Sequence, residues 1–403
     1  MKYDIPDGTC MTGTGQYFDK SKKGIVPEII QNLYDERSVF KKQMLQAEQK
    51  KADGDKSYSI ERKIVTLNNQ QMAVKILMNS LYGALSNEHF RYYDMRVAES
   101  ITVSGQLTIR WAENTINKYM NKILKTEDED YVIAIDTDSL YVRMGALVDQ
   151  VKPNDPVKFL DKVSQEKLEP LMAKAYDDLY EYMSAYEQKM VMAREVIADK
   201  GIWTGKKHYA LNVHNSEGVQ YSEPKLKIMG IEVVRSSTPM PCRNMLRDTI
   251  KGIMTEDEDA TQKFIEYCRN EFNNLRAEEI AFPRGVSDLD KWKDRASLYK
   301  KGTPIHVRGA LLYNHYLNKH NLIQKYETIF SGEKIKFLYL KMPNYIQENV
   351  IAFNNVIPEE FNIRDFVDYD LQFNKAYIEP LKSILDVIGW STEKRSTLED
   401  FFK

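Results

Sequence analysis

Cysteine is scarce: Cys10, Cys242 and Cys268 are the only three in 403 residues, far apart and with no CxxC pair. That argues against a disulfide framework or a zinc-binding pattern and fits a reducing compartment. Histidine is also sparse, at six, and His306, His315 and His320 lack metal-box spacing although they fall in one region. No apolar run approaches the roughly 18 residues that a transmembrane helix needs. The opening stretch MKYDIPDGTC has no apolar signal core. The expectation is a cytoplasmic chain, neither secreted nor membrane-spanning. Net charge is only −2, so no global field announces a polyanionic partner, and any such contact must rest on local patches.

What is present describes a globular protein: 42% hydrophobic and 29% charged residues, with length for two or three domains. Residues 1–24, rich in Gly, Asp and Thr, read as turns and a hairpin. Pro27 and Glu28 suit a helix start, and Ile29, Ile30, Leu33, Phe40 and Met44 recur at helical spacing to about Lys51. After the polar turn KADGDKSYS, a second helix is expected from Ile60 to Leu81, stopped by Gly83, so the two should pair as an αα-hairpin. A third helix is expected over 94–123, followed by a solvated acidic loop at Thr126–Asp130. Residues 156–192 read as helical, with Leu160, Val163, Leu168, Leu171 and Met172 inward, and 207–235 as strands. SSTPMP, from Ser236, reads as a boundary, and helices open the remainder.

Two stretches carry chemistry. In YVIAIDTDSLYV, Asp136 and Asp138 stand one residue apart, and in an extended strand both would point at one divalent cation such as Mg²⁺. A lone DxD is more often an ordinary turn. In KILMNSLYG, Lys75, Asn79 and Tyr82 fall at i, i+4 and i+7, which places a cation, an amide and a ring on one helix face. Such a face suits a nucleoside triphosphate, and Arg37 and Lys41, across the hairpin, would add two cations. A solvated amphipathic hairpin has the same spacing.

Here the pattern becomes specific. KILMNSLYG resembles the fingers signature of family B DNA polymerases, Lys-x-x-x-Asn-Ser-x-Tyr-Gly, and DTDS resembles their palm signature, in the expected order. GKKHYALNV resembles the KKxY segment, KLKIMG with SSTP the end of the palm, and LEDFFK is similar to sliding-clamp-binding tails. The resemblance is strongest to polymerases of large tailed phages and covers essentially the whole chain. It implies an α+β right-hand polymerase fragment with helical-hairpin fingers, an antiparallel-sheet palm and a mainly helical thumb. The expected division is 1–23 palm hairpin, 24–83 fingers, 84–238 palm and 239–403 thumb.

By the same resemblance, Asp138 would be the metal ligand, with Asp136 beside it, for two Mg²⁺ ions in an assembled site. Arg37, Lys41 and Lys75 would bind the triphosphate of a dNTP, and Lys75 is also the candidate proton donor to pyrophosphate. Asn79 would support that face, with Tyr82 and Gly83 against the nascent base pair. Lys206, Lys207, Tyr209, Lys225 and Lys227 would hold primer–template DNA. Leu398, Phe401 and Phe402 would dock into a sliding clamp, although a terminal helix folding onto its own domain fits them too. Glu195 and Glu232 match acidic palm positions, and each equally suits a structural ion pair.

Two departures stand out. Ala134-Ile135 replaces the usual Tyr-Gly before DTD, and no Dxx-Ser-Leu-Tyr-Pro element, which carries the family's first catalytic Asp, is present. Two carboxylates cannot bridge two octahedral ions. The expectation is therefore a split polymerase whose first palm segment and exonuclease come from a separate polypeptide. Lacking those strands, the palm should expose sheet edges and apolar surface. Two rivals remain: a non-catalytic, clamp-tethered primer–template binding module, and a metal nuclease completed by Glu195 and Glu232.

Overall fold

The computed structural model describes residues 4–393. The chain forms two compact units, Met1–Asp199 with Val213–Lys225, and Lys200–Asn212 with Leu226–Lys403. The first opens with an antiparallel hairpin, β1 (Thr9–Met11) and β2 (Tyr17–Asp19). Met11 N donates to the Met183 carbonyl at 3.0 Å, Gly13 N to Ser104 Oγ at 3.0 Å, and Lys20 Nζ to the Ser184 hydroxyl at 2.7 Å. The expected hairpin is therefore present and tied down at both ends.

Helices α1 (Ile25–Ala52) and α2 (Tyr58–Leu85) form the expected pair, each 28 residues long. The Ser57 hydroxyl caps α2 by accepting from Ile60 N. Few of their side chains are buried, chiefly Ala47, Ile60, Leu67, Gln71 and Leu85, while Ile29, Val65, Met72, Ile76 and Leu77 remain exposed. One expectation fails here: Gly83 does not stop α2, which continues to Leu85 and ends at Ser86. Glycine inside a helix costs about 1 kcal/mol against alanine. The further turn offsets that by burying Leu85, and Ser86 Oγ donates to the Gly83 carbonyl at 2.9 Å.

Helix α3 (Met95–Leu124), capped by Asp94, buries Ala112, Ile116 and Met120 against Tyr131 and Val132. Next come β3 (Val132–Asp136), β4 (Ser139–Val142), α4 (Gly145–Val151), α5 (Pro156–Val163) and α6 (Glu169–Tyr182). A π-helical turn, Ser164–Leu168, joins α5 to α6, and Met172, Ala175 and Tyr176 complete the α3 core. The helix expected to reach 192 ends ten residues early. Ser184 takes φ 48°, Ala185 N turns back to the Tyr180 carbonyl, and Val191, which mimicked a helical apolar position, is 81% exposed.

A three-stranded sheet follows, in the order β5 (Val196–Gly205), β6 (His208–Ser216), β7 (Val219–Met229), and the chain passes between units within each strand. Strand β5 escaped the sequence reading because Gly201, Gly205 and Asp199-Lys200 interrupt its alternation. Strands expected to continue to 235 end at Met229, and Glu232–Val234 is a 3₁₀ turn.

The second unit continues with α7 (Met240–Thr255), α8 (Glu258–Asn273), α9 (Ala277–Ile280), β8 (Phe282–Gly285) and α10 (Leu289–Trp292). A small hairpin, β9 (Lys293–Asp294) and β10 (Leu298–Tyr299), leads to α11 (Ile305–Lys319), β11 (Lys334–Tyr339) and β12 (Val350–Phe353). Helices α12 (Tyr369–Phe373) and α13 (Glu379–Ile388) close it. The antiparallel sheet β12-β11-β8 lies in a region expected to be mainly helical, and one core joins Leu246, Ile250, Phe272, Leu317, Phe353 and Tyr377. Among the described residues no helix is long and apolar enough to cross a membrane.

Burial sorts the cysteines. Cys242 and Cys268 are 0% and 1% exposed, and burial pushes their thiols up to about 12 and about 11. The thiolate is the reactive form. Iodoacetamide at pH 8 is expected to alkylate half-buried Cys10 in the folded chain and the other two only after denaturation, as read by peptide mass spectrometry.

Candidate active site

The DTD segment is a hairpin tip. Asp136 ends β3, Ser139 begins β4, and Thr137 takes φ 57°. Asp138 N donates to the Asp136 carbonyl at 2.7 Å, and Thr137 Oγ1 to Asp136 Oδ1 at 3.2 Å. The expectation that both carboxylates share one face of an extended strand is thus corrected: they flank a left-handed residue, and a turn rather than the strand pleat sets their separation. Asp136 is half-buried and Asp138 exposed. Among the described residues no group of three or more His, Cys, Asp or Glu side chains is arranged to hold a metal ion. The hairpin is anchored from α3: Asn117 Oδ1 accepts from Tyr131 N at 2.9 Å and Val132 N at 3.2 Å.

Along α2, Lys75, Asn79, Tyr82 and Gly83 are all exposed. Arg37 on α1 donates from Nε to Gln71 Oε1 at 3.2 Å, Gln71 standing one turn before Lys75 on α2, while Gln71 Nε2 donates to Asn68 Oδ1. Gln71 is 6% exposed, so a buried amide holds Arg37 to α2. Lys41 has a partner the sequence did not suggest: its Nζ lies 2.7 Å from Glu217 Oε1. The pair is about one-third and one-quarter exposed, and an ion pair so open to solvent is worth on the order of 1 kcal/mol. Nearby, burial raises the Glu48 carboxyl above its ordinary range, opposed by Lys225 and reinforced by Glu217. Helix α3 packs against both α2 and the β3–β4 hairpin, which links the two candidate stretches.

In the second unit, exposed Lys206 and Lys207 form the β5–β6 turn, Lys207 with φ 62°. His208 Nδ1 lies 2.8 Å from the Lys206 carbonyl, which can only accept, so Nδ1 carries the proton and Nε2 accepts from Arg235 at 3.1 Å. Gly230, of KLKIMG, backs this turn: a Cβ there would sit 2.1 Å from the Lys207 carbonyl oxygen, and its φ is +70°. Tyr209 is 4% exposed and packs near Trp203, so its ring belongs to the core. Lys225 closes the β7 segment of the first unit, and Lys227 lies in the β7 segment of the second. Lys225 Nζ lies 3.8 Å from the Tyr221 ring centroid. Glu232 pairs with Arg235 at 3.0 Å. Glu195 is exposed, and its backbone carbonyl accepts from Glu217 N at 2.6 Å. Leu398, Phe401 and Phe402 lie outside the described residues.

A family model described as DNA polymerase family B matches residues 7–388. The chain belongs to DNA polymerase family B. It is 32% identical to the DNA-directed DNA polymerase of Enterobacteria phage T4, over 96% of this chain and 49% of that one. To the DNA-directed DNA polymerase of Escherichia phage RB69 it is 36% identical, over 82% and 38%. A DNA polymerase of a Desulfurococcus species is 23% identical, over 94% and 41%. This family B chain thus spans about half, or less, of the length of these relatives.

The reading missed Glu217 and the backing role of Gly230. The signal for Glu217 was the Ser-Glu-Gly turn between two apolar strands; for Gly230 no sequence signal exists, because the close approach comes from a distant turn. Two glycine substitutions should move stability in opposite directions. Gly230→Ala is expected to destabilise by about 2 kcal/mol, from the left-handed backbone and the overlap with Lys207. Gly83→Ala should stabilise by up to about 1 kcal/mol, since nothing lies within 4 Å of a Cβ there. Thermal unfolding of the two variants checks both signs.

Proposed function

We propose that this chain supplies fingers (24–83), most of the palm (84–238) and thumb (239–403) of a DNA-directed DNA polymerase that extends a primer by template-directed addition of deoxynucleotides. The observation that carries it is the exposed row Lys75, Asn79 and Tyr82, with Arg37 bonded to Gln71 one turn before Lys75, in the same compact unit as Asp136 and Asp138. In the proposed reaction the primer 3′ oxygen bonds to the α-phosphorus as the bond to pyrophosphate breaks. Arg37, Lys41 and Lys75 offset charge on the phosphates, and Lys75 delivers a proton to the departing pyrophosphate. The 3′ hydroxyl proton passes to solvent. Tyr82 and Gly83 lie against the new base pair, while Lys206, Lys207, Lys225 and Lys227 hold the DNA backbone.

The donor set, two carboxylates on a tight turn with Asp138 exposed, fits a hard divalent cation such as Mg²⁺. Such ions, two in the assembled site, would neutralise phosphate charge and acidify the 3′ hydroxyl. The remaining carboxylate and the exonuclease are proposed to come from a separate polypeptide. In support, β3 and β4 pair only with each other among the described residues, and Ile133, Met95 and Ile101 are about half exposed. Free edges and apolar side chains of this kind seek a covering chain. The C-terminal LEDFFK would tether the assembly to a sliding clamp.

Primer extension with Mg²⁺ and four deoxynucleotides tests this. Extension is expected only when the chain is combined with the complementary polymerase polypeptide, and Asp138→Asn should abolish it. Lys75→Ala should lower kcat/KM on the order of a hundredfold. Full-rate extension by the chain alone would sink the two-polypeptide arrangement; none in the mixture would sink the polymerase reading.

A further inference from the structure

The β6–β7 turn is built unusually for a surface connection. Its two residues, Glu217 and Gly218, both have positive φ, 50° and 89°, the left-handed pair of a tight hairpin in which Asn or Gly at the first position would be relaxed. Glu217 is therefore held in a backbone state that glutamate seldom adopts, and the surroundings hold it there. Glu217 N donates to the Glu195 carbonyl at 2.6 Å, and Gly218 N to Asn215 Oδ1 at 3.2 Å. Asn215, 4% exposed, is gripped by Arg194 Nη1 at 2.6 Å. Arg194 is in turn fixed by Asp161, which pairs with its guanidinium, and by Glu169, which accepts from its backbone N–H at 3.0 Å. Those two carboxylates flank the π-helical turn between α5 and α6.

What this rigid turn presents is a carboxylate to Lys41. A second contact lies two helical turns along α1, where Gln49 Oε1 accepts from Gln220 N at 3.0 Å. Thus α1 is fastened to the turn at Lys41 and to the start of β7 at Gln49, and the fastening uses a cation that the proposed function assigns to the triphosphate.

We propose that Glu217 is a positioning residue for nucleotide binding: it stands in for a phosphate on Lys41 when no nucleotide is bound, and yields Lys41 to the incoming triphosphate. This rests on the reading of the helical hairpin as the triphosphate site. The exchange is chemically even, one carboxylate oxygen for one phosphate oxygen on the same ammonium. A triphosphate engages Arg37 and Lys75 at the same time, so it competes well against a single solvent-open ion pair. Giving up the Lys41 contact while the Gln49–Gln220 hydrogen bond stays in place loosens α1 from the turn. Glu217 thereby sets both nucleotide affinity and the point at which the hairpin is released.

The test is dATP·Mg²⁺ binding to the full chain by calorimetry, with Glu217→Asn, Lys41→Gln and the double variant. Asn removes the charge and is at ease at φ 50°, so the turn keeps its shape; Glu217→Gln is a second variant of nearly equal length. Removing the competitor is expected to tighten dATP binding three- to tenfold in both Glu217 variants, whereas damage to the fold would weaken it. Lys41→Gln should weaken binding about tenfold, and the double variant should match Lys41→Gln alone. Amide exchange over residues 41–52 should quicken in Glu217→Asn and, in the unmodified chain, on adding dATP. Unchanged or weaker binding in both Glu217 variants, with Lys41→Gln still weakened, would overturn the role of Glu217 and leave the triphosphate site standing. No effect of Lys41→Gln, or no dATP binding at all, would remove the site and this inference with it.

Discussion

The contact between α3 and the start of β3 is what the first unit depends on. Ala112, Ile116 and Met120 bury themselves against Tyr131 and Val132, and Asn117, on the same helix, accepts from both of those backbone amides. Burying each large apolar side chain contributes about 1.5–3 kcal/mol, and the amide satisfies two donors that would otherwise be desolvated without a partner. The β3–β4 ribbon has only two strands among the described residues, and an isolated hairpin is marginal in water. Its stability is therefore borrowed from α3. Because α3 also packs on α2, a single helix registers the carboxylate turn against the cationic face.

Long elements were legible where one physical rule acts alone. The hairpin of α1 and α2 follows from periodicity and a polar turn, and the helix expected over 94–123 is α3, Met95–Leu124. Errors occurred where two rules compete. The propensity of Gly83 predicts a helix stop, but packing of Leu85 carries the helix past it. The helix expected over 156–192 stops at Tyr182, because Ser184 reverses the chain. Strand β5 was hidden because glycines and a charged pair blur its alternation.

The site was legible in its residue types and less so in its geometry. Lys75, Asn79 and Tyr82 share an exposed face as their spacing implies. Asp136 and Asp138 are neighbours through a turn, a distinction that spacing alone does not carry. Tyr209 reads as a ligand-facing ring within its motif, yet the sheet takes it inward beside Trp203. The Ser-Glu-Gly turn marks Glu217 as a hairpin tip, but its partner, Lys41, is 176 residues away, and no local pattern encodes a long-range ion pair.

Thr137, Lys207 and Glu217 each sit at a hairpin tip with φ between 50° and 62°, where glycine or asparagine would be more relaxed. In laboratory evolution this makes the three tips conflicting targets. A library selected for heat resistance alone would drift toward glycine or asparagine at all three. It would thereby erase the charged groups beside Lys41 and at the β5–β6 turn, and the hydroxyl that holds Asp136. Selection for stability would thus remove the chemistry first from the places where the backbone is most willing to change, so a campaign on this scaffold has to score binding in every round.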